Sequence, residues 1–217
     1  MGVLFFQPLF LLRFASSIIP DVVYFKQTDQ KLIALTIDDG PNRITTTKIL
    51  DVLDRYGAKA TFFVIGENIQ GNEDIVQRMV DDGHELGNHL MEDKPSISMS
   101  SQEFESDLAE TGQILSKFGS IKWLRPASGW HNHEMVKIAH RNNYRVALGS
   151  IFPFDTHIPS SWFASLQILL NASPGSIIVL HDTRLWGERT RLTLEKVIPQ
   201  LMSRGYEFVT LSDLFAD

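Results

Sequence analysis

The chain has 217 residues, contains no cysteine and carries a formal net charge of −6, with a sequence pI of about 5.6. A mildly acidic chain lacks the basic surface that nucleic acids require, so no nucleic-acid partner is expected. The absence of cysteine excludes disulfides, thiolate metal sites and a cysteine nucleophile. This length is sufficient for one large domain with a single core.

The N-terminal stretch, residues 3–12, is apolar apart from Gln7 and Pro8. It is too short to span a bilayer, and no Lys or Arg precedes it as in a signal peptide. We therefore predict that residues 1–30 form an apolar helix or segment that packs on the domain, with a signal segment as the alternative. A cytoplasmic or membrane-peripheral location is accordingly expected ahead of secretion, and no oligomeric state is predicted.

From residue 31 onward, a short apolar strand, a turn and an amphipathic helix recur. In the first unit, residues 32–37 are β-prone, and residues 45–56 place apolar side chains at helical spacing before Gly57 ends the helix. Further strands are predicted at residues 60–65, 85–88, 121–124, 145–148, 176–180 and 207–210, and further helices at 74–80, 101–118, 133–141, 162–170 and 190–202, with Leu214 in a final short turn of helix. Seven such alternations predict one α/β domain, residues 31–217, whose mainly parallel sheet is either open or closed into a barrel.

Polar side chains recur where these predicted strands end. Because the carboxyl ends of parallel strands lie on one rim, such residues converge in space even when they are distant in sequence. They are Asp38, Asp39, His89, Arg125, Asp155, His181 and Asp182, and Pro126 and Gly129 follow the same strand as Arg125.

The adjacent carboxylates Asp38 and Asp39 can divide the work of metal-assisted hydrolysis. One can bind a cation while the other accepts a proton from water. The alternative is that residues 39–41, Asp-Gly-Pro, are only a turn signal.

His89 and Asp93 are spaced i, i+4, which on one turn of helix makes both side chains face the same way. An imidazole and a carboxylate at this spacing can bind a divalent metal, and together with Asp39 they make three ligands, as in catalytic sites that keep open positions. The alternative is a surface hydrogen bond or a solvated acidic run that includes Glu92.

Arg125 can hold the base carboxylate ionised and oriented, although a surface salt bridge is the alternative. His181 ends an apolar strand and could be a satisfied core histidine. Its ordinary pKa also suits proton donation near neutrality, and Asp155 could keep it protonated.

The chain contains four ordered motifs: Thr36-Ile37-Asp38-Asp39-Gly40, Gly83-His84-Glu85-Leu86-Gly87-Asn88-His89, Arg125-Pro126-Ala127-Ser128-Gly129 and Leu180-His181-Asp182. Together they resemble the polysaccharide deacetylases of carbohydrate esterase family four, and the resemblance runs from residue 32 to residue 214. It implies a distorted (β/α) barrel with about seven parallel strands. The implied reaction is hydrolysis of N-acetyl groups on GlcNAc-containing glycans, either chitin oligomers or peptidoglycan, with release of acetate.

The resemblance also implies roles for individual residues. Asp38 is the base and Arg125 positions it, while His181 is the general acid and Asp155 tunes it. The metal ligands are Asp39 and His89, with Asp93 standing where the family has a second histidine. Zinc is the first expectation for this single divalent ion, and Mn, Co and Ni are alternatives because a second carboxylate makes the site harder. The implied substrate contacts are Ser128, through its backbone N–H, Gly129, Trp130 and Leu180, which would line the acetyl pocket.

Two further departures from the family lie near the expected substrate. Ser128 replaces a tyrosine, and the usual tryptophan after the tuning aspartate is missing, so Phe154, Trp162 and Trp186 are alternative sources of an aromatic wall. Two functional alternatives also follow. One is an esterase or deformylase acting on another acylated carbohydrate, and the other is a non-catalytic glycan-binding relative.

Overall fold

Eight strands form one sheet in the computed structural model, which describes residues 21–216, and every pairing between these strands is parallel. Along the sheet the order is β1-β6-β5-β4-β3-β2-β7, and β8 also pairs with β2. The strands are β1 (Val22–Val23), β2 (Leu32–Asp38), β3 (Thr61–Val64), β4 (Glu85–Asn88), β5 (Trp123–Leu124), β6 (Arg145–Ala147), β7 (Ile177–His181) and β8 (Glu207–Val209).

The two ends of this sheet approach each other. A parallel bridge between Ile151 and Ile178 joins the segment after β6 to β7, and the amide of Val179 donates to the carbonyl of Ile151 at 3.0 Å. The predicted parallel α/β architecture is confirmed, with one strand more than the seven expected.

The helices follow the strands as predicted. They are α1 (Thr45–Tyr56), α2 (Glu73–Asp81), α3 (Ser101–Leu115), α4 (His133–Arg141), α5 (Ser161–Asn171), α6 (Gly187–Ser203) and α7 (Leu211–Leu214). Local chemistry fixes their ends: Ser100 and Glu103 form a capping box at the start of α3, and Gly57 adopts the left-handed conformation that closes α1. None of the helices within residues 21–216 combines the length and apolar character needed to cross a membrane.

Side chains alternate across β7 and so divide the core into two layers. Ile177 joins an inner cluster with Ala34 and Phe63, whereas Ile178 and Leu180 belong to the large outer cluster that includes residues of α1 and α6. Because a strand has a side-chain period of two, Val179 and His181 share the inner face with Ile177.

The predicted N-terminal segment lies mainly outside the described residues, since residues 1–20 are not among them. Within that segment, Val22–Val23 pairs with β6 and thus belongs to the sheet. The boundary of the domain at residue 31 stays a prediction.

Candidate active site

The carboxyl ends of the strands surround a cavity of about 710 Å³. Of the eleven site residues predicted from the sequence, ten line this cavity, and the exception is Leu180. The lining residues are Asp38, Asp39, His89, Asp93, Arg125, Ser128, Gly129, Trp130, Leu148, Phe152, Phe154, Asp155, Thr156, His157, Val179, His181 and Trp186.

Asp38 ends β2 and is bound by the buried guanidinium of Arg125. The Arg125 Nη1 atom donates to Oδ1 of Asp38 at 2.6 Å and to the hydroxyl of Thr36 at 2.7 Å. The other nitrogens of Arg125 donate to the carbonyls of Ala147, at 3.0 Å, and Leu148. The guanidinium is therefore fixed on four acceptors, and it holds one carboxylate oxygen while the other stays available to the cavity.

Asp39 and His89 form the second buried pair. Oδ1 of Asp39 lies 3.4 Å from Nε2 of His89, and Nδ1 of His89 lies 2.7 Å from the carbonyl oxygen of Arg125. Because that carbonyl can only accept, Nδ1 carries the hydrogen, and Nε2 presents its lone pair when the ring is neutral.

The electrostatics of this pair favour opposite charges. Burial opposes ionisation of Asp39, but the hydrogen bond and charge of His89, helped by His181 and Arg125, hold its pKa below the usual value. Burial likewise disfavours the His89 imidazolium, but Asp39 and Asp38 outweigh it and raise the pKa of His89. A cation bound between the two side chains would replace this ion pair.

The Asp39–His89 pair fits a divalent metal. Two ligand atoms bound about 2.0–2.1 Å from a tetrahedral ion lie about 3.4 Å apart, which matches the separation of these two donors. Asp93 lines the same cavity but is exposed. Within residues 21–216, no group of three His, Cys, Asp or Glu side chains is drawn close enough together to hold a metal.

The prediction that His89 and Asp93 share a turn of helix is wrong. The chain leaves β4 at Asn88, Leu90 takes a left-handed φ of 68°, and residues 91–94 form a bend. A left-handed residue cannot continue a right-handed helix, so the i, i+4 spacing does not place the two side chains together. The role of Asp93 as third ligand stays a prediction.

His181 ends β7 and is held by the fully buried carboxylate of Asp155. Nδ1 of His181 lies 3.1 Å from both carboxylate oxygens, and the His181 amide donates to Oδ2 at 2.9 Å. Burial disfavours the imidazolium, but Asp155, with the charges of Asp38 and Asp39, raises the pKa of His181 to about 9. His181 thus carries a proton at neutral pH and presents Nε2 to the cavity.

The predicted contact of Leu180 with the substrate is wrong. Leu180 is fully buried in the outer core cluster, because it alternates with His181 along β7. Val179, two residues before His181, lines the cavity instead. The same two-residue spacing, applied to the sequence, would have selected Val179.

The aromatic wall comes from Phe154 and Trp186, which line the cavity, and not from Trp162, which lies on α5 outside it. The ring of Trp186 stands edge-on to the imidazole of His181, with centroids 5.9 Å apart. Phe152 adds a ring that sequence analysis did not identify.

Asp182 is a buried carboxyl that sequence analysis noted without a role. Its oxygens accept hydrogen bonds from the hydroxyls of Thr45, at 2.5 Å, and Thr46. Its amide donates to the carbonyl of Asp38 at 2.8 Å. Burial raises the pKa of Asp182 to about 6; the two hydroxyls oppose this shift, and Asp39 adds to it. Asp182 therefore ties the start of α1 to the turn that bears the two aspartates.

A parallel α/β fold that brings two aspartates, two histidines and a buried arginine to one rim has the arrangement that metal-assisted hydrolysis requires. The polysaccharide deacetylase family model matches residues 25–147. The chain belongs to the polysaccharide deacetylase family.

Relatives of known identity agree with this assignment. A peptidoglycan-N-acetylglucosamine deacetylase of Bacillus cereus is 35% identical over 189 residues, which cover 86% of this chain and 89% of the relative. The crystal structure of the Bc1960 peptidoglycan N-acetylglucosamine deacetylase superposes with a TM-score of 0.87 at 31% identity, covering 93% of this chain and 96% of that one. A family 4 acetyl xylan esterase from Clostridium thermocellum, solved with a cobalt ion, has a TM-score of 0.78 at 35% identity, with coverages of 85% and 90%.

Proposed function

We propose that this chain is a metal-dependent deacetylase that hydrolyses N-acetyl groups on GlcNAc-containing glycans and releases acetate. One observation carries the proposal. Asp38 and His181, the base and the acid that amide hydrolysis needs, face one cavity, and each is fixed by its own buried partner. Chitin oligomers and peptidoglycan are the proposed substrates, and the named peptidoglycan deacetylases among the relatives support this choice.

The proposed metal site uses Asp39, His89 and Asp93, with zinc as the first candidate and Mn, Co or Ni as alternatives. A divalent ion held there would supply Lewis-acid polarisation of the acetyl carbonyl and acidify water. The hydrogen bond from Nδ1 of His89 to the Arg125 carbonyl keeps Nε2 oriented toward this position.

Asp38 accepts the proton of the attacking water as the new C–O bond forms. Its carboxylate is suited to this role because Arg125 neutralises and orients it without occupying both oxygens. The backbone N–H of Ser128, in the left-handed turn that lines the cavity, is the proposed donor to the oxyanion.

His181 donates its Nε2 proton to the sugar nitrogen as the C–N bond breaks. Without this proton the tetrahedral intermediate would expel the oxygen of the attacking water and revert to the amide. A neutral amine leaves far more readily than an amide anion. Asp155 binds Nδ1 of the same imidazole and keeps the protonated form of His181 populated.

The test is acetate release from chitin tetramer and from peptidoglycan, measured after chelation and after re-addition of Zn²⁺, Mn²⁺, Co²⁺ or Ni²⁺. We expect chelation to abolish release and one ion to restore it. Asp38→Asn is expected to lose about 10²–10⁴-fold in rate while still binding that ion. Full activity of Asp38→Asn would contradict the proposal.

O-acetyl ester hydrolysis is a second candidate, because the related acetyl xylan esterase has the same fold. The substrate panel therefore includes acetylated xylan. Release of acetate from the xylan and from none of the amides would replace the first candidate with the second.

A further inference from the structure

The turn Gly66–Asn68, which follows β3, lines no part of the cavity but contacts both loops that carry the proposed metal ligands. On one side, Nδ2 of Asn68 donates to the carbonyl of Asp39 at 2.8 Å. On the other side, the amide of Gly66 donates to the carbonyl of Leu90 at 2.9 Å, and the amide of Glu67 to that of Met91 at 3.0 Å. Leu90 and Met91 directly follow His89. One short turn thus joins the Asp39 loop to the His89 loop.

Both loops need external support because of their backbone conformation. Asp39 has a φ of 74° and Leu90 a φ of 68°. The left-handed region is unfavourable for residues other than glycine, and such residues persist where surrounding contacts impose them. The Gly66–Asn68 turn binds the carbonyl of each of these two residues.

The turn itself is rigidly placed. The carbonyl of Asn68 accepts from Nδ2 of Asn72 at 2.9 Å, and its amide donates to the carbonyl of Ile65 at 3.1 Å. A Cβ atom at Gly66 would lie 2.5 Å from Sδ of Met91 and 2.9 Å from the Thr111 hydroxyl. The backbone of the turn is therefore packed as closely against the His89 loop as a glycine permits.

We propose that the Gly66–Asn68 turn sets the separation of Asp39 and His89, and that Asn68 is a positioning residue for the metal site. The inference rests on the proposed function, since it assigns these two residues as ligands. Without the Asn68 amide, Asp39 loses the side-chain donor that holds its strained backbone, and its carboxylate no longer meets the His89 nitrogen at a fixed distance. Metal affinity should then fall more than the stability of the fold.

The test is titration of metal-free protein with Co²⁺, followed by visible absorption of the bound ion, with unfolding by urea measured in parallel. For Asn68→Ala we expect affinity for Co²⁺ to weaken about 10- to 100-fold, as for other groups that orient metal ligands. Asn68→Leu has the same number and branching of side-chain heavy atoms as asparagine but cannot donate a hydrogen bond. It should show the same loss of affinity, and it replaces the alanine variant if that variant does not fold.

The matched control is Asn142→Ala. Nδ2 of Asn142 also donates to a backbone carbonyl, that of Ile138, at 2.9 Å, but it lies at the end of α4, away from the cavity. This variant should lose similar stability and keep wild-type affinity for Co²⁺. Unchanged affinity in both Asn68 variants, or an equal loss in Asn142→Ala, overturns the inference and leaves the proposed function standing. Failure of the wild-type protein to bind any of Zn²⁺, Mn²⁺, Co²⁺ and Ni²⁺ overturns both.

Discussion

Asp38 and His181 are paired directly across the neighbouring parallel strands β2 and β7, at the carboxyl end of each strand. The proposed base and acid are therefore placed by strand register, because a slip of one residue would turn either side chain to the opposite face. Each is then fixed by a partner from elsewhere in the chain, Arg125 for the base and Asp155 for the acid.

Asp155→Asn should shift the alkaline limit of activity. The proton-donating form of His181 is populated below its pKa of about 9 and is lost as the pH rises through that value. Removing the charge of Asp155 lowers that pKa, so the alkaline limb of the kcat/KM profile should move to lower pH. The profile is measured at saturating metal. An alkaline limb that stays in place would show that His181 is not the titrating acid.

Arg125→Met should destabilise the fold. The guanidinium and the Asp38 carboxylate are both buried, and removing one member of such a pair leaves an uncompensated charge, at a cost of about 3–5 kcal/mol in the free energy of unfolding. Urea denaturation at neutral pH measures this loss.

Two further variants separate charge from packing at this pair. Adding Asp38→Asn to Arg125→Met removes the stranded charge and should recover part of the stability. Arg43→Met breaks the exposed pair with Asp74 and should change stability little. A double variant no more stable than Arg125→Met would argue against the buried charge as the cause.

Asp93→Ala should weaken metal binding by more than the roughly 10- to 100-fold typical of groups that only orient ligands. Its neighbour Glu92 is exposed and pairs with Lys94, so Glu92→Ala removes a nearby charge without removing the proposed ligand and is the matched control. Asp93→His should raise the affinity for Zn²⁺ relative to that for Mn²⁺, because imidazole is a softer ligand than carboxylate. Calorimetric titration with each ion measures these affinities. Equal affinities of the two alanine variants would show that Asp93 is not a metal ligand.

Trp130→Ala should impair hydrolysis of long glycans more than that of short ones. Trp130 is 68% exposed at the cavity, whereas Trp162, at 65%, lies outside it on α5. An exposed indole face can stack on the C–H groups of a sugar next to the reacting one, and losing such a contact should lower kcat/KM for chitin tetramer by roughly tenfold. Trp162→Ala is the control for an exposed tryptophan. Equal effects of Trp130→Ala on dimer and tetramer would rule out the stacking role.

The convergence of the site could be predicted because it depends on topology. Once the strand–helix alternation was recognised, residues at the carboxyl ends of strands had to share one rim. Asp38, His89, Arg125 and His181 accordingly line the same cavity.

The remaining differences have local causes that topology does not capture. Side chains alternate along a strand, so Val179 faces the cavity and Leu180 faces the core. His89 and Asp93 do not share a helical turn, because Leu90 between them has a left-handed backbone conformation. β1 is only two residues long, too short to produce a periodic pattern. The support that Asn68 gives to Asp39 depends on a turn with no sequence signal of its own.

The central position of β2 has a consequence for how the protein opens. β2 pairs with β3, β7 and β8, so the amides near Asp38 should exchange with solvent only when the whole domain unfolds, whereas those around Trp130 and Thr156 should exchange through local openings. The floor of the cavity then resists local unfolding, whereas the margin of the cavity opens locally. Mutation can remodel the margin, and with it the choice of glycan, without disturbing the acid–base pair beneath.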